Sequence, residues 1–373
     1  MQNVLFAIDR DFLSNSALHV HALANEMCRL GFECVVAVPE NKASVAALGQ
    51  ILYRPMEFGE APGLRKMFSD GLGPQIVHSW TPREIVRKFC DGLRASFKFK
   101  QFVHLEDNEE HLVEKLRGAI AGDDFPDALS HPVRYREFLR QAAGVTVIIE
   151  KLNDFVPAGV PTMTLWPGVD LTEFYPRPVN RELAGKLDLP ANGTTIVYPG
   201  NVHQANAREV RSLYLAVAML NREGEPTCLV RTGRNFCEFL GDEGKWIAPY
   251  LRELGFVERR QMPEILALAD IFVQPGRADH FNEYRFPSKL PEFLAMGKPV
   301  ILPASNIGRL MIKGQHAWVV EQADSVQIAE SVKRIRQDRE LQAKLSAGAT
   351  EFVQTHLSWP RQAARMREFY LQS

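Results

Sequence analysis

The sequence predicts an α/β protein made of two doubly wound domains with a cleft between them. Three observations carry this. Short apolar runs alternate with amphipathic helical stretches along the chain. The alternation starts afresh after "WPGVDLTEFYPRPVNRELAGKLDLPANG" (166–193), a segment rich in Pro, Gly and charge. A length of 373 residues also suggests two hydrophobic cores rather than one. Apolar strands alternating with helices mean parallel sheets covered on both faces.

In the first half, "NVLFAI" (3–8) reads as a buried strand by its apolar run. "SALHVHALANEMCRLG" (16–31) reads as a helix, with Leu18, Leu23, Met27 and Leu30 at helical spacing and Gly31 as its stop. "ECVVAVP" (33–39), "QIVHSW" (75–80), "QFVHLED" (101–107) and "GVTVIIE" (144–150) read as strands, with "REIVRKFCDGLRASF" helical among them. The second half repeats the grammar without repeating the sequence. "TTIVYPG" (194–200) is a strand, "AREVRSLYLAVAMLNREG" a helix closed by Gly224, and "TCLVRTG" (227–233) a strand. "MPEILALAD" is a helix, "IFVQPG" a strand, "PSKLPEFLAMG" a helix and "PVILPA" a strand, before a mostly helical stretch at 324–353.

Composition narrows the class. Hydrophobic residues make up 46% and charged residues 24%, an ordinary soluble balance. The formal net charge of -1 argues against a nucleic-acid binder. There is no apolar run of about 18 residues to span a membrane. "MQNVLFAIDRDFL" lacks a basic start and carries Asp9 and Asp11 early, so it does not read as a signal peptide. Cys28, Cys34, Cys90, Cys228 and Cys237 are odd in number and form no CxxC, which suits reduced thiols in a cytoplasmic protein.

In open α/β sheets, ligands bind outside the carboxyl ends of the strands. The loop and helix "NEYRFPSKLPEFLAMGKPVI" (282–301) gather charge at such a place. Ser288 is a good N-cap and Pro291 suits a first turn. Lys289, Ser288 and Glu292 share a helix face by spacing. Free N–H groups and a partial positive charge at a helix start suit a phosphate. A carboxylate there accepts hydrogen bonds from a vicinal diol. A nucleotide sugar carries both groups. The alternative is a capped surface helix with an internal Lys–Glu pair.

"RFPSKLPEFLAMGKPVI" resembles the signature of the family 4 glycosyltransferases, in a variant that reads PSKLxEF. "SNSALHVHALANEMCRLGFECVVAVP", "TLWPGVDLTEFYP" (164–176), "LGFVERRQMPEILALADIFVQPG" and "HLSWPRQAARMREFY" (356–370) resemble four further stretches of that family, in order. The resemblance implies the GT-B fold: an acceptor domain over 1–168, joined by a crossing helix at 357–373, and a donor domain over 169–356. It implies retaining transfer of a hexose from a UDP- or GDP-sugar to a hydroxyl acceptor in glycan or glycoconjugate synthesis. The nucleotide diphosphate sugar is the co-substrate, and neither a metal nor another cofactor is implied. The acceptor is a glycan, a lipid-linked group or a small molecule. Two rivals share the fold: a non-catalytic nucleotide or glycan binder, and a phosphate-dependent glycan phosphorylase.

Residue by residue, the resemblance gives Glu292 the ribose hydroxyls. Tyr284 stands where the family's first motif Glu belongs, and Glu283 is one residue off register. Either Glu283 meets the sugar as a catalytic carboxylate, or the backbone N–H groups of 284–288 do. Tyr284 and Phe286 fall on the donor side. After Gly200 the family places an Arg and then a Lys on the diphosphate; here Asn201 and Asn206 occupy those places. Lys289 and Arg285 are then expected to supply the charge, with Arg231 and Arg234 in reserve. The base falls near Phe256, Val257 and Glu258. In the first domain the family's strand-end His aligns with Glu106, with His104 two residues earlier on the same face if the strand persists. Both are catalytic candidates, and Asp107 is an acceptor-side one. The alternative is a helix-capping turn in "EDNEEH". Ser16 stands in the family's Gly-rich first loop on the acceptor side, where His78 and Arg83 are also placed. His19 and His21 read as packed or surface residues. "GDD" at 122–124 reads as a structural loop. The basic and aromatic stretch "PREIVRKFCDGLRASFKFKQF" is either a peripheral contact for the inner membrane face or a solvated helix face.

Overall fold

The computed structural model describes residues 2–116 and 125–373; the 122–124 loop lies outside them. The chain divides into two compact units. One comprises Met1–Gly168, Tyr284–Phe286 and Trp359–Ser373, the other Val169–Glu283 and Pro287–Ser358.

The first unit is built on a seven-stranded sheet. Its strands are β1 (Asn3–Ile8), β2 (Glu33–Val38), β3 (Arg54–Glu57), β4 (Ile76–Trp80), β5 (Lys100–Leu105), β6 (Gly144–Val147) and β7 (Thr162–Thr164). The order is β3-β2-β1-β4-β5-β6-β7 and every pair is parallel. Val4 pairs with Cys34 on one side and Ile76 on the other, so β1 is central. All its residues are buried, as a strand covered on both faces requires. The chain winds outward from β1 in one direction and from β4 in the other. The switch point therefore lies between these two strands. Edge strands β3 and β7 carry "RPME" and "TMT", too short and too polar to show an apolar run.

Helix α1 (Asn15–Arg29) is capped by Ser14, whose Oγ accepts from Ala17 N at 3.2 Å. It stops where Gly31, at φ +89°, lets Gly31 N reach Cys28 O and Phe32 N reach Met27 O. Helices α2 (Glu84–Arg94), α3 (Glu109–Leu116) and α4 (Arg134–Arg140) follow in this unit.

In the second unit, α5 (Arg181–Lys186) precedes two three-stranded parallel sheets. One is β8 (Thr194–Tyr198), β9 (Thr227–Arg231) and β10 (Leu251–Glu253). The other contains β11 (Phe272–Val273), β13 (Val300–Pro303) and β14 (Trp318–Val320), with the small pair β12 (Gly276–Arg277) and β15 (Gln322–Ala323) beside it. A parallel bridge from Ile196 to Ile271 joins the two sheets. Here the switch lies between β8 and β11. Around the sheets stand α6 (Ala207–Arg222), α7 (Gly244–Ile247), α8 (Met262–Ala267), α9 (Leu290–Ala295), α10 (Ser325–Gln337) and α11 (Arg339–His356). Helix α6 ends as α1 does, with Gly224 at φ +80° and Glu225 N on Leu220 O.

The last helix, α12 (Trp359–Gln372), belongs to the first unit. Ala363, Met366, Phe369 and Tyr370 join the core over the sheet. Tyr370 Oη lies 2.7 Å from His78 Nδ1, and both side chains are buried. His78 Nε2 is 3.0 Å from Thr146 Oγ1, which is 2.8 Å from His104 Nδ1. Tyr370→Phe breaks this buried chain at its head and leaves a ring nitrogen of His78 without a partner. Unfolding in urea is expected to show a loss of about 1–3 kcal/mol, with the slope unchanged.

Candidate functional site

At the first switch point, the ends of β1 and β4 are joined by charge. Arg83 Nη1 is 2.5 Å from Asp9 Oδ2, Nη2 is 3.3 Å from Asp107 and Nε is 3.6 Å from Glu109. Arg83 and Asp9 are nearly inaccessible, whereas Asp107 is about half exposed. Just before Arg83, Thr81 holds φ +78°, a costly backbone region for a β-branched residue. Its buried hydroxyl has no hydrogen-bond partner. Glu109 is buried; Ser130 Oγ donates to its Oε2 at 2.7 Å, and Oε1 has no partner. Burial, aided by Asp107 and Asp9, pushes the Glu109 carboxyl up to about 7 despite Arg83.

Beside this cluster lies Glu106. Strand β5 ends at Leu105, so Glu106 stands in the loop and does not share a strand face with His104. Trp80 Nε1 donates to Glu106 Oε1 at 2.7 Å, His19 Nδ1 lies 3.1 Å from the same oxygen, and Ser16 Oγ donates to Oε2. Burial works to raise this carboxyl, but the His19 contact above all, with His104 and the Ser16 hydroxyl beside it, holds it down at about 2. It is ionised at any working pH.

His104, a catalytic candidate, and His78, an acceptor-side one, are both buried. His104 stacks under Trp80 with ring centres 4.0 Å apart, and burial lowers it to about 3. His78 has no exposed surface and both ring nitrogens engaged, so it has no face to offer an acceptor. Arg83 is likewise turned inward onto Asp9.

In the second unit, the turn after β8 receives Lys289. Its Nζ sits over the Tyr198 ring, 4.9 Å from the centre. A Cβ on Gly200 would meet Lys289 Cε at 2.5 Å, and Gly200 has φ +117°, so only glycine serves there. Gly233 in turn packs its Cα against the backbone of Gly200. Asn201 and Asn206 brace the same turn. Asn201 Oδ1 accepts from Arg234 N at 2.8 Å, and Asn206 Nδ2 donates to Asn201 O at 3.0 Å. Arg231 is buried, with its guanidinium on Glu253, Asn235 and the carbonyls of Gly200 and Gly233. It supports the turn from beneath. Phe256 is exposed beneath the Arg234 guanidinium, and Val257 is half-buried.

The motif segment itself is shorter as a helix than the sequence suggests. Lys289 takes the N-cap place with helical φ and ψ, and no side chain caps the end. Ser288 is exposed in the preceding turn, because the bond from Leu290 N to Pro287 O already closes it. Glu292 pairs with Arg259, which lies over the Phe174 ring at 4.8 Å. Glu283 pairs with Arg309. Tyr284 and Phe286 are buried; Tyr284 Oη donates to Asp154 at 2.9 Å in the first unit. The charge of Arg285 acts on Asp107 in that unit.

The basic stretch after Trp80 is largely neutralised. Arg87 pairs with Glu84 and Asp91, Arg94 with Asp91, and Lys88 with Asp127. Phe89 stacks on Phe58 at 3.9 Å. Among the described residues no helix is long and apolar enough to cross a membrane.

Four contributors escape the sequence reading: His19 and Trp80 at Glu106, and Arg259 and Arg309 at the motif glutamates. Each partner is far away along the chain, and no local spacing announces it.

Residues 193–338 match the family model described as "Glycosyl transferases group 1". No curated protein matches the chain. Among solved structures, sucrose-phosphate synthase from Thermosynechococcus elongatus is 17% identical with a TM-score of 0.72, over 100% of this chain and 99% of that one. HepE of Anabaena in complex with UDP-glucose is 16% identical with a TM-score of 0.74, over 100% of each chain. WaaG, a glycosyltransferase involved in lipopolysaccharide biosynthesis, is 15% identical with a TM-score of 0.62, over 97% of this chain and 99% of that one. The likeness to these structures is one of fold, and that fold is GT-B.

The buried Glu109 carboxyl gives a pH signature. Its folded value of about 7 lies above its ordinary value of 4.5, so the folded state binds the proton more tightly. Its contribution is complete below pH 4.5 and lost as pH rises through 7. Glu109→Gln is neutral throughout. Relative to wild type it is expected to gain stability between pH 5 and pH 8, by roughly 2–3 kcal/mol at most. Urea unfolding of both proteins at the two pH values checks this; an unchanged difference refutes the assignment.

Proposed function

We propose that this transferase, which carries a group 1 glycosyltransferase domain at residues 193–338, moves a hexose from a nucleotide diphosphate sugar to a hydroxyl acceptor with retention of configuration. The observation that carries the donor reading is Lys289 lying across Gly200 at the second switch point. A leaving diphosphate gains negative charge as the glycosidic bond breaks, and a fixed cation there lowers the barrier. Lys289 supplies it where the family's Arg and Lys are replaced by Asn201 and Asn206. Glu292 holds the ribose diol through the oxygen that Arg259 leaves open. UDP and UDP-glucose bound to HepE support a uridine donor. Synthesis of a surface glycan or glycoconjugate is the setting we propose, in the cytoplasm.

A second reading is a protein that binds a nucleotide without turning it over. The pairing of Glu283 with Arg309 favours it, since that carboxylate is already engaged.

A thermal-shift screen against UDP, GDP, ADP and TDP tests the donor reading. A ligand at 100 times its dissociation constant adds about 2.7 kcal/mol, a rise of several degrees. Lys289→Ala is expected to lower kcat/KM for the donor at least about tenfold; an unchanged value removes Lys289 from the site. NMR of the first product formed reads its anomeric configuration, and inversion refutes the retaining assignment. Binding with no turnover of any sugar nucleotide selects the second reading.

A further inference from the structure

We propose that Cys28 and Cys34 are a modification site, at which a hydroperoxide oxidises Cys28 and Cys34 closes the product into a disulfide. The inference goes beyond the transferase reading and does not depend on it.

The two thiols stand on either side of the turn from α1 into β2. Cys28 is in the last turn of α1, and Cys34 is the second residue of β2. Backbone bonds fix the turn between them. Gly31 N donates to Cys28 O at 3.0 Å, Phe32 N to Met27 O at 3.1 Å and Glu33 N to Gln2 O at 3.1 Å. Strand β2 then sets Cys34 opposite Val4 of β1. Cys28 packs against the core cluster that holds Cys34. The sulfurs meet there: the Cys34 thiol donates to Cys28 Sγ, and the Cys34 backbone N–H bonds to the same atom.

The sulfurs are unequal. Cys34 is 4% exposed, whereas Cys28 is only partly buried. The Cys34 thiol above all, with its backbone N–H and the Arg29 charge, lowers Cys28 against the effect of burial. The bond to Cys28, together with burial, pushes Cys34 well up. Cys28 is therefore the sulfur that ionises and meets solvent, and Cys34 stays a protonated thiol in contact with it. An accessible thiolate beside a resolving thiol reacts with peroxide and is caught as a disulfide before it reaches the higher acids. Cys90 shows the contrast. It is buried against the Ser79 hydroxyl at 3.2 Å, and burial pushes it up to about 12.

The steps balance. The Cys28 thiolate attacks one oxygen of the hydroperoxide. The S–O bond forms as the O–O bond breaks, and the electron pair leaves on the second oxygen. That oxygen takes up the proton Cys28 gave up on ionising. The Cys34 sulfur then attacks Cys28 Sγ. The S–S bond forms as the S–O bond breaks, and the hydroxyl leaves with the Cys34 proton as water. Two thiols are oxidised by two electrons, and the hydroperoxide is reduced by two.

The test uses the full chain, reduced, freed of reductant and exposed to hydrogen peroxide. Remaining thiols are capped with iodoacetamide and the protein is digested with trypsin. Cleavage after Arg29 puts Cys28 and Cys34 on separate peptides, 11–29 and 30–42. The two are expected as one linked species, lighter by two hydrogens than their sum, which dithiothreitol separates. Cys237, also partly buried, is the internal control and is expected to stay unlinked. In Cys34→Ala the link is lost, and Cys28 is expected to persist as a sulfenic acid that dimedone captures. In Cys28→Ser the link is lost and dimedone marks neither position. Should Cys34→Ala fail to fold, the wild-type digest decides alone. Peptides 11–29 and 30–42 recovered apart with capped thiols overturn the proposal. So does Cys28 linked to any other cysteine, or recovered as a sulfinic acid.

Discussion

A negative charge enclosed at the end of β5 organises the first unit. Taking a carboxylate out of water costs several kcal/mol unless donors replace the lost hydration. Glu106 meets that demand with three donors: an indole from β4, and an imidazole and a hydroxyl from α1. The helix and the strand are thereby tied to one anion, and the imidazole can present only one tautomer to it. The same burial keeps the deeper histidines neutral, since a second charge would have to be desolvated without a matching partner. His78 and His104 are accordingly joined through Thr146 as uncharged rings. The unit separates its charge from its polarity: ions at the strand ends, neutral hydrogen bonds within the sheet.

The second unit handles the opposite sign by a different route. In its turn after β8, positions 201 and 206 are uncharged asparagines, whose amides bond to backbone groups. Positive charge arrives from another element, across a glycine. That approach has two requirements, both met at one position. Gly200 must hold a left-handed φ, and it must have no side chain where the Lys289 stem passes. The Tyr198 ring then faces the ammonium, and such a contact contributes most where water is excluded. Arg231, the more obvious cation in the sequence, is consumed beneath the turn by two carbonyls and two side chains.

What could be read from the sequence follows from the range over which each signal acts. The apolar runs of β1, β4 and β8 and the glycine stops of α1 and α6 are local, and the parallel two-unit architecture could be read from them. Edge strands such as β3 and β7 escaped because an exposed edge needs no apolar run. The cap at Ser288 failed because capping depends on where the backbone first turns helical, and the turn at Pro287 delays it. The shared face of His104 and Glu106 failed by one residue of strand length. The contact of His19 with Glu106 was illegible for a different reason. A lone histidine on an amphipathic helix carries no information until a carboxylate 87 positions away folds against it.

On the proposed donor reading, the arginines at the motif glutamates address a problem that such a site must solve. A carboxylate that accepts from a ribose diol stands close to a diphosphate, and the two repel. Pairing the carboxylate with an arginine through one oxygen removes most of its net charge and leaves the second oxygen free to accept. Arg259 takes Glu292 in this way, and Phe174 holds the guanidinium plane so that little side-chain freedom is lost. Arg309 pairs with Glu283. On that reading, with asparagines at 201 and 206, neutralising the acidic side of the motif does part of the work of the missing cations. The positive field then depends less on how many lysines and arginines lie near the phosphate than on how few uncompensated carboxylates oppose them.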